Sequence, residues 1–354
     1  MVSVVDVAVL GGGCSPEHEI SLQSAGQVLA HLDRNRFRPW PVYLTREGTW
    51  VVPDAPSAEN PGGEFPRGGV PMLPGPAIGH LVERAGVTVC FPVLHGPFGE
   101  DGTVQGMLDL HGLAYVGSGC AASAMAMDKI RSRECLSVAG VPMPRAYLPS
   151  SPVHRADPQG EIARIREAVG FPCFLKTDLS GSSLGVSRAE SPEDVASFLH
   201  EALDLGRRFL AEELVVGEEI SVPVLGNSGH DPIALPPIGI YPRSAAFFTH
   251  AAKYDPSACD EVVPPRGLDS EQIRGVQSLA VRCHEALQCD GLSRTDMIVG
   301  SGGPRVLEVN TMPGFTTASL YPKCAAAHGM PYPDLLSRLI ELATELPRPK
   351  EFHT

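Results

Sequence analysis

Arg294-Thr295-Asp296 and Glu308-Val309-Asn310 flank the glycine-rich stretch Gly300-Ser301-Gly302-Gly303-Pro304. Two apolar, β-rich runs joined by such a turn predict an antiparallel hairpin. A turn centred near Gly302 sets Asp296 opposite Glu308 and Arg294 opposite Asn310. Side chains alternate with a period of two along a strand, so all four then project from one face. Two adjacent carboxylates repel each other, and a bound cation offsets that cost; oxygen-only ligands of this kind suit Mg²⁺. The patch predicts a Mg²⁺–nucleotide site, against the plainer reading of a solvated hairpin face.

A second group is Lys176-Thr177-Asp178-Leu179-Ser180-Gly181-Ser182-Ser183-Leu184-Gly185, a lysine at a strand end ahead of a Gly/Ser loop. Glycines let backbone N–H groups converge on an anion, and the hydroxyls and lysine add donors and charge. It is not a Walker A loop, which needs its lysine directly before the helix. Phosphate clamp and plain loop both remain open. Glu212-Glu213-Leu214-Val215 with Gly217-Glu218-Glu219 reads either as an exposed acidic turn or as a hinge that lodges a base and ribose. Lys129 alone is a surface lysine.

These residues need elements to hold them. Short apolar runs alternate with helical patterns over residues 1–120: strands Val4–Leu10, Trp40–Leu44 and Val87–Leu94, helices Glu19–Leu32 and Asp101–His111. That pattern predicts a parallel sheet wound with helices. Gly11-Gly12-Gly13 lacks the G-x-G-x-x-G spacing and is equally a tight strand-to-helix turn. The Gly/Pro-rich Pro53–Pro76 segment has little periodicity and reads as a surface insertion. A small α+β unit over 121–212 has a helix running through Met127-Asp128-Lys129, strands Pro144–Leu148 and Cys173–Lys176, and helices Glu161–Val169 and Pro192–Leu203. A third unit, 213–354, carries strands Glu219–Leu225 and Ile238–Tyr241, helix Ser270–Leu287, the hairpin, and helix Tyr332–Leu346.

The 354 residues include 28 Lys and Arg against 41 Asp and Glu, a net charge of −13. That balance argues against nucleic-acid or anionic-membrane partners. Nine cysteines, with no C-x-x-C spacing, read as reduced thiols of a cytoplasmic protein. Cys283-His284 and Cys324 with His328 could be nucleophile or metal sites, but no second pair completes either one, and the reading is a buried small hydrophobe. Val2–Leu10 carries Asp6 and reads as a first strand, not a signal peptide. No window reaches the roughly 18 apolar residues of a membrane span.

In order along the chain, Gly12-Gly13-Cys14-Ser15-Pro16-Glu17-His18-Glu19-Ile20-Ser21-Leu22, His95-Gly96, Gly99-Glu100-Asp101-Gly102, Met127-Asp128-Lys129 and Gly181-Ser182-Ser183-Leu184-Gly185-Val186 resemble the ATP-grasp ligases. They continue with Ala252-Lys253-Tyr254, Arg294-Thr295-Asp296 and Glu308-Val309-Asn310-Thr311-Met312-Pro313-Gly314. Within that group the chain resembles the D-alanine–D-alanine ligases, from Leu10 to about Leu342. The resemblance implies an α/β ATP-grasp fold of three domains, with a doubly wound parallel sheet at the N-terminus and ATP between the central and C-terminal domains. It also implies a homodimer acting on D-alanine and ATP in peptidoglycan precursor synthesis.

By the same resemblance, Lys129, Lys176 and the Ser182-Ser183 loop hold the phosphates. Glu212, Glu213, Leu214 and Val215 receive the adenine, Glu219 the ribose, and Lys253 also serves the nucleotide. Asp296, Glu308 and Asn310 hold two Mg²⁺ ions, with Mn²⁺ a possible substitute. Glu17 binds the first ammonium with His95 nearby, and Ser182 and Tyr254 link to Glu17, tying the loop at 245–260 over the site. Arg294 and the Gly314 N–H meet the oxyanion, while Ser319 and Leu320 hold the second carboxylate. The family usually has proline where Thr177 stands, and Asp178 adds negative charge to a loop meant for phosphate. The retained Lys253-Tyr254 implies an amine rather than a hydroxy acid as second substrate. Ligases of other D-amino acids, D-serine or D-lactate, and a non-catalytic nucleotide binder, are the alternatives.

Overall fold

A computed structural model of the chain describes residues 4–57, 62–149, 157–178, 185–204, 208–243 and 258–346. The first sheet holds β1 (Val5–Gly12), β2 (Phe37–Leu44), β3 (Trp50–Val52), β4 (Val70–Met72), β5 (Val89–Pro92) and β6 (Ala114–Tyr115), in the order β4-β3-β2-β1-β5-β6. β2, β1, β5 and β6 are parallel, as the alternating pattern predicts, and β3 and β4 extend the sheet antiparallel. β1 is buried from Asp6 to Gly12, which is why its sequence is a near-continuous apolar run. Helices α1 (His18–His31), α2 (Pro74–Glu83) and α3 (Thr103–Leu110) belong to this sheet.

The second sheet, β7 (Ala146–Tyr147), β8 (Cys173–Thr177), β9 (Val186–Ala189) and β10 (Phe209–Glu213), runs β7-β10-β8-β9 and is antiparallel. Helices α6 (Pro158–Ala168) and α7 (Pro192–Asp204) cover one face through Ile162, Ile165, Val195 and Leu199. The third sheet, β11 (Glu218–Leu225), β12 (Ile233–Ala234), β13 (Ile238–Pro242), β14 (Cys259–Val262), β15 (Leu292–Gly300) and β16 (Gly303–Asn310), is antiparallel in the order β14-β13-β11-β15-β16, with β12 on β11. Helix α8 (Ser270–Ala286) packs on it, started by a capping box between Asp269 and Gln272.

Two sequence expectations are corrected here. The helix expected through Met127-Asp128-Lys129 is two helices, α4 (Cys120–Met127) and α5 (Lys129–Val138), broken at Asp128. Asp128 is extended, with φ −79° and ψ 102°, and its side chain accepts from the Ile130 and Arg131 amides. A carboxylate that caps the next helix cannot also continue the previous one. Leu136 of α5 lies in the core of the third sheet with Ile220, Val222 and Met297.

The Pro53–Pro76 segment is also more than surface. It supplies β4, and Phe65 is buried with Val7, Ala25 and Phe91. The segment crosses α1 so closely that a Cβ on Gly26 would stand 1.9 Å from the Gly63 carbonyl oxygen. One aromatic and one close approach leave no periodic trace in a sequence.

Helix α9 (Leu320–Ala327) packs on β11, where the Tyr321 hydroxyl donates to the Val224 carbonyl at 2.7 Å, and helix α10 (Tyr332–Glu345) returns to the first sheet. α10 presents Leu335, Leu336, Leu339, Ile340 and Ala343 along one stripe, all buried in one core with Val7, Val9, Leu29 and Phe91. Phe315 sits edge-on to Phe91, with ring centroids 5.7 Å apart. Among the described residues no helix is long and apolar enough to cross a membrane.

Cys283 and His284 are fully buried in the third core, as expected for core residues, and burial pushes the Cys283 thiol up to about 12. His284 Nδ1 lies 2.8 Å from Ser293 Oγ, and burial pulls its imidazole from 6.5 down to about 4.

Phe65→Ala should destabilise the fold by about 3 kcal/mol, the usual cost of emptying a buried aromatic site, as read by urea denaturation. A change near zero would show that the segment is peripheral. As pH falls below 6.5 the unfolded chain takes the His284 proton first, so stability present above that value is progressively lost toward pH 4. Between pH 6.5 and 5 the loss is about 2 kcal/mol, and His284→Gln should flatten this part of the profile.

Candidate active site

The second and third sheets, with loops of the first, enclose a cavity of about 1360 Å³. Its wall contains every described candidate: Glu17, His95, Lys129, Lys176, Glu212, Glu213, Leu214, Val215, Glu219, Arg294, Asp296, Glu308, Asn310, Gly314, Ser319 and Leu320. Ser182, Ser183, Lys253 and Tyr254 lie outside the described residues.

The β15–β16 hairpin pairs Asp296 with Glu308 and Arg294 with Asn310, the predicted register, but by a route the sequence reading did not foresee. The turn is Ser301-Gly302, closed by the pair Gly300–Gly303, and pairing continues through Met297–Val306. Continued unchanged, that register would set Asp296 opposite Leu307 and send Glu308 to the other face. A β-bulge at Leu307 inserts the extra residue that returns Glu308 to the face of Asp296.

Each carboxylate on this face is matched by a cation. Asp296 accepts from Arg294 Nε at 2.8 Å and Nη2 at 2.7 Å, and from Ser221 Oγ at 2.6 Å. Glu308 Oε2 lies 2.8 Å from Lys129 Nζ. Glu212 is bridged by Lys176 Nζ at 2.5 Å and Arg133 Nη1 at 2.9 Å. Burial pulls the Lys129 pKa down, but Glu308, Glu212 and Asp296 outweigh it and hold the ammonium charged. Burial likewise opposes the charge on Arg294, and Asp296, Glu308 and Glu100 overcome it. Glu213, next along β10, turns to Arg145 instead, with Nε–Oε2 2.6 Å, because adjacent strand residues face opposite ways.

A second cluster comes from the first sheet. Ser15 Oγ donates to the His95 carbonyl at 2.6 Å and accepts from the Glu17 amide at 3.1 Å, fixing Glu17 beside the His95 loop. Gly96 has φ +72°, and a Cβ there would stand 2.8 Å from Glu17 Oε2, so both the turn and the approach need glycine. His95 Nδ1 lies 3.4 Å from Glu100 Oε1 and 3.2 Å from the Met312 carbonyl, and Nε2 lies 3.3 Å from Ser24 Oγ. Burial works against a charged His95, but Glu100 and Glu17 raise its pKa; burial raises that of Glu100. Past Gly314, the Thr316 amide donates to Ser319 Oγ at 3.1 Å ahead of Leu320.

The sequence reading missed three residues. Arg133 stands one turn beyond Lys129, an i, i+4 spacing that marks a shared helix face. Glu100 stood inside a quoted motif without a role. Ser221 faces Asp296 only through the β11–β15 register, which no local pattern encodes.

Among the described residues no three His, Cys, Asp or Glu side chains group closely enough to hold a metal. The cation candidates are therefore two carboxylates, Asp296 and Glu308, and the Asn310 amide, whose Oδ1 accepts from the Met312 N–H at 2.9 Å. All are hard oxygen donors, and Asp296 Oδ2 accepts a single described bond where Oδ1 accepts two, so the set fits Mg²⁺ or Mn²⁺ chemically.

The family models "D-ala D-ala ligase N-terminus" and "D-ala D-ala ligase C-terminus" match residues 6–118 and 136–341. A D-alanine–D-alanine ligase of Deinococcus radiodurans is 38% identical over 344 residues, covering 96% of this chain and 98% of that protein. A D-alanine–D-alanine ligase structure from Coxiella burnetii superposes with a TM-score of 0.78 at 27% identity, covering 97% of this chain and 95% of that one. The ATP complex of the Bacillus anthracis enzyme gives 0.72 at 28%, covering 97% and 98%. The architecture is thus the ATP-grasp fold, and the chain belongs to the D-alanine–D-alanine ligase family.

Proposed function

We propose that this cleft joins two D-alanine molecules at the expense of ATP, giving D-alanyl-D-alanine, ADP and phosphate for peptidoglycan precursor synthesis. One observation carries the reading: a single cavity brings the Glu17–His95–Glu100 cluster together with Lys129, Lys176 and the carboxylate pair of the hairpin, with buried Arg294 among them. The relatives at 35–38% identity are D-alanine–D-alanine ligases, which favours D-alanine over D-serine or D-lactate at the second position.

Glu17 takes the ammonium of the first D-alanine and leaves its carboxylate as nucleophile toward the γ-phosphorus. Lys129 and Lys176 hold the phosphates, and in-line transfer needs charge neutralisation more than covalent help. Asp296, Glu308 and Asn310 would hold Mg²⁺, which when bound neutralises phosphate charge. The γ-phosphoryl leaves ADP and forms an acyl phosphate with the carboxylate. The amine of the second D-alanine, its carboxylate near Ser319 and Leu320, attacks the acyl carbon, and phosphate leaves. Nε and Nη2 of Arg294 are taken by Asp296, and Nη1 remains to meet the oxyanion with the Gly314 N–H. Glu212, Leu214, Val215 and Glu219 receive base and ribose, with Glu213 at their edge, and Ser182, Ser183, Lys253 and Tyr254 complete the lid and phosphate loop. The same reading makes the protein a cytoplasmic homodimer, and its nine free thiols agree with a reducing compartment.

Purified protein with ATP, Mg²⁺ and D-alanine should release one phosphate per dipeptide formed. Normal ATP binding without phosphate release would remove D-alanine as the substrate. Arg294→Lys keeps a charge but loses the planar fork, and should lower kcat by about 100-fold with the ATP dissociation constant little changed. Wild-type turnover in that variant would exclude Arg294 from the oxyanion.

A further inference from the structure

The charge of Asp178, which the sequence places at the mouth of the phosphate loop, is taken up by an arginine. Its side chain is buried, and Oδ2 accepts from Arg208 Nε at 2.7 Å. Arg208 Nη2 continues to Asp128 Oδ2 at 2.5 Å. Asp128 caps α5 with its other oxygen, which accepts from the Ile130 and Arg131 amides at 3.0 Å each. One guanidinium thus joins the end of β8 to the start of the helix that carries Lys129.

The backbone repeats the connection. The Lys129 N–H donates to the Asp178 carbonyl at 3.1 Å, and the Asp178 N–H donates to the Arg208 carbonyl at 3.1 Å. Thr177, directly after Lys176 and before Asp178, donates its N–H to the Gly185 carbonyl at 3.0 Å and closes the stem of the Gly/Ser loop. A proline at 177 has no N–H for that bond. The departure at Thr177-Asp178 therefore supplies two ties, one across the loop stem and one to Arg208.

Electrostatically the cluster keeps its charge to itself. Arg208 neutralises Asp178, and the remaining charge of Asp128 lies on the α5 N-terminus, where the helix dipole favours it. Arg208 is 45% exposed on its side chain, so the intact pairs add little to global stability, although the buried Asp178 carboxylate relies on Arg208 as its side-chain partner. What the pairs fix is direction. Lys129 leaves the first turn of α5 toward Glu308 and Lys176 leaves β8 toward Glu212, and Asp178 and Arg208 set these two starting points against each other.

We propose that Asp178 and Arg208 are positioning residues for the nucleotide phosphates, holding Lys129, Lys176 and the stem of the Gly/Ser loop in one arrangement. The inference rests on the reading that these lysines hold the phosphates of ATP.

The test compares Asp178→Asn, Arg208→Met, Arg208→Lys and the Asp178→Asn/Arg208→Met pair. The readouts are calorimetric binding of a non-hydrolysable ATP analogue, steady-state KM and kcat, and Tm. Asp178→Asn and Arg208→Met should each weaken analogue binding and raise the KM for ATP by roughly tenfold, the scale of a misplaced binding group. The KM for D-alanine should stay within about twofold in every variant, and Tm within about 2 °C in Asp178→Asn and Arg208→Lys, which leave no buried charge unpaired. Arg208→Lys should recover part of the affinity, and the double variant should be no worse than either single one, because both substitutions cut the same chain of contacts. Unchanged analogue binding in both single variants, or a fall in Tm with affinity kept, would overturn the proposal. Analogue binding does not depend on ligation, so a wild-type protein that binds nucleotide but leaves D-alanine unjoined defeats the proposed reaction while this test still decides the clamp.

Discussion

The constraint beneath this structure is that several carboxylates and several cations must share one partly enclosed cleft. Asp296, Glu308, Glu212 and Glu100 would repel strongly in such surroundings if left alone. Each has a basic partner: Arg294, Lys129, Lys176 with Arg133, and His95. Removing one member of a buried pair strands the other, a loss of about 3–5 kcal/mol. These four carboxylates are thus matched by the protein's own cations. Under the proposed reaction a polyphosphate draws on the lysines while a divalent cation draws on the carboxylates, so nucleotide and metal arrive as complementary replacements for contacts the protein already makes. This is how a chain of net charge −13 accommodates a polyanion.

That balance depends on backbone devices that are small and local. The bulge at Leu307 decides which face Glu308 occupies, and the break at Asp128 decides where Lys129 begins. Arg133, one turn further along α5, reaches the other oxygen of Glu212, so one helix face serves two carboxylates. The His95 ring binds the Met312 carbonyl and Ser24 receives the Phe315 amide, which ties the first sheet to the strand exit that carries Gly314. Substrate groups contributed by different sheets are held together through these contacts.

Much of this was legible from the sequence, and the gaps have physical causes. Period-two alternation and a Gly-rich turn located the β15–β16 hairpin, and ordered motifs identified the family. The bulge was invisible because the residue pattern around Leu307 fits either register until Asp296 is known to share a face with Glu308. The role of Phe65 was hidden because a single aromatic against α1 creates no period. Ser221 and Arg208 acquire their roles only from strands and helices remote in sequence. Asp178 read as a misplaced charge because its partner lies thirty positions away.

The return of α10 to the first sheet bears on how the molecule is made. β1, α1 and β5 are complete once residue 92 has been synthesised, yet part of their apolar face is covered by Phe315, Leu335, Leu336 and Leu339. Those residues follow two further sheets in the order of translation. At about 5–20 residues per second the wait is on the order of tens of seconds. During that interval the nascent first sheet presents Val7, Val9 and Phe91 without their final cover, a surface for chaperones to shield, and the first core closes only after the second and third sheets have emerged.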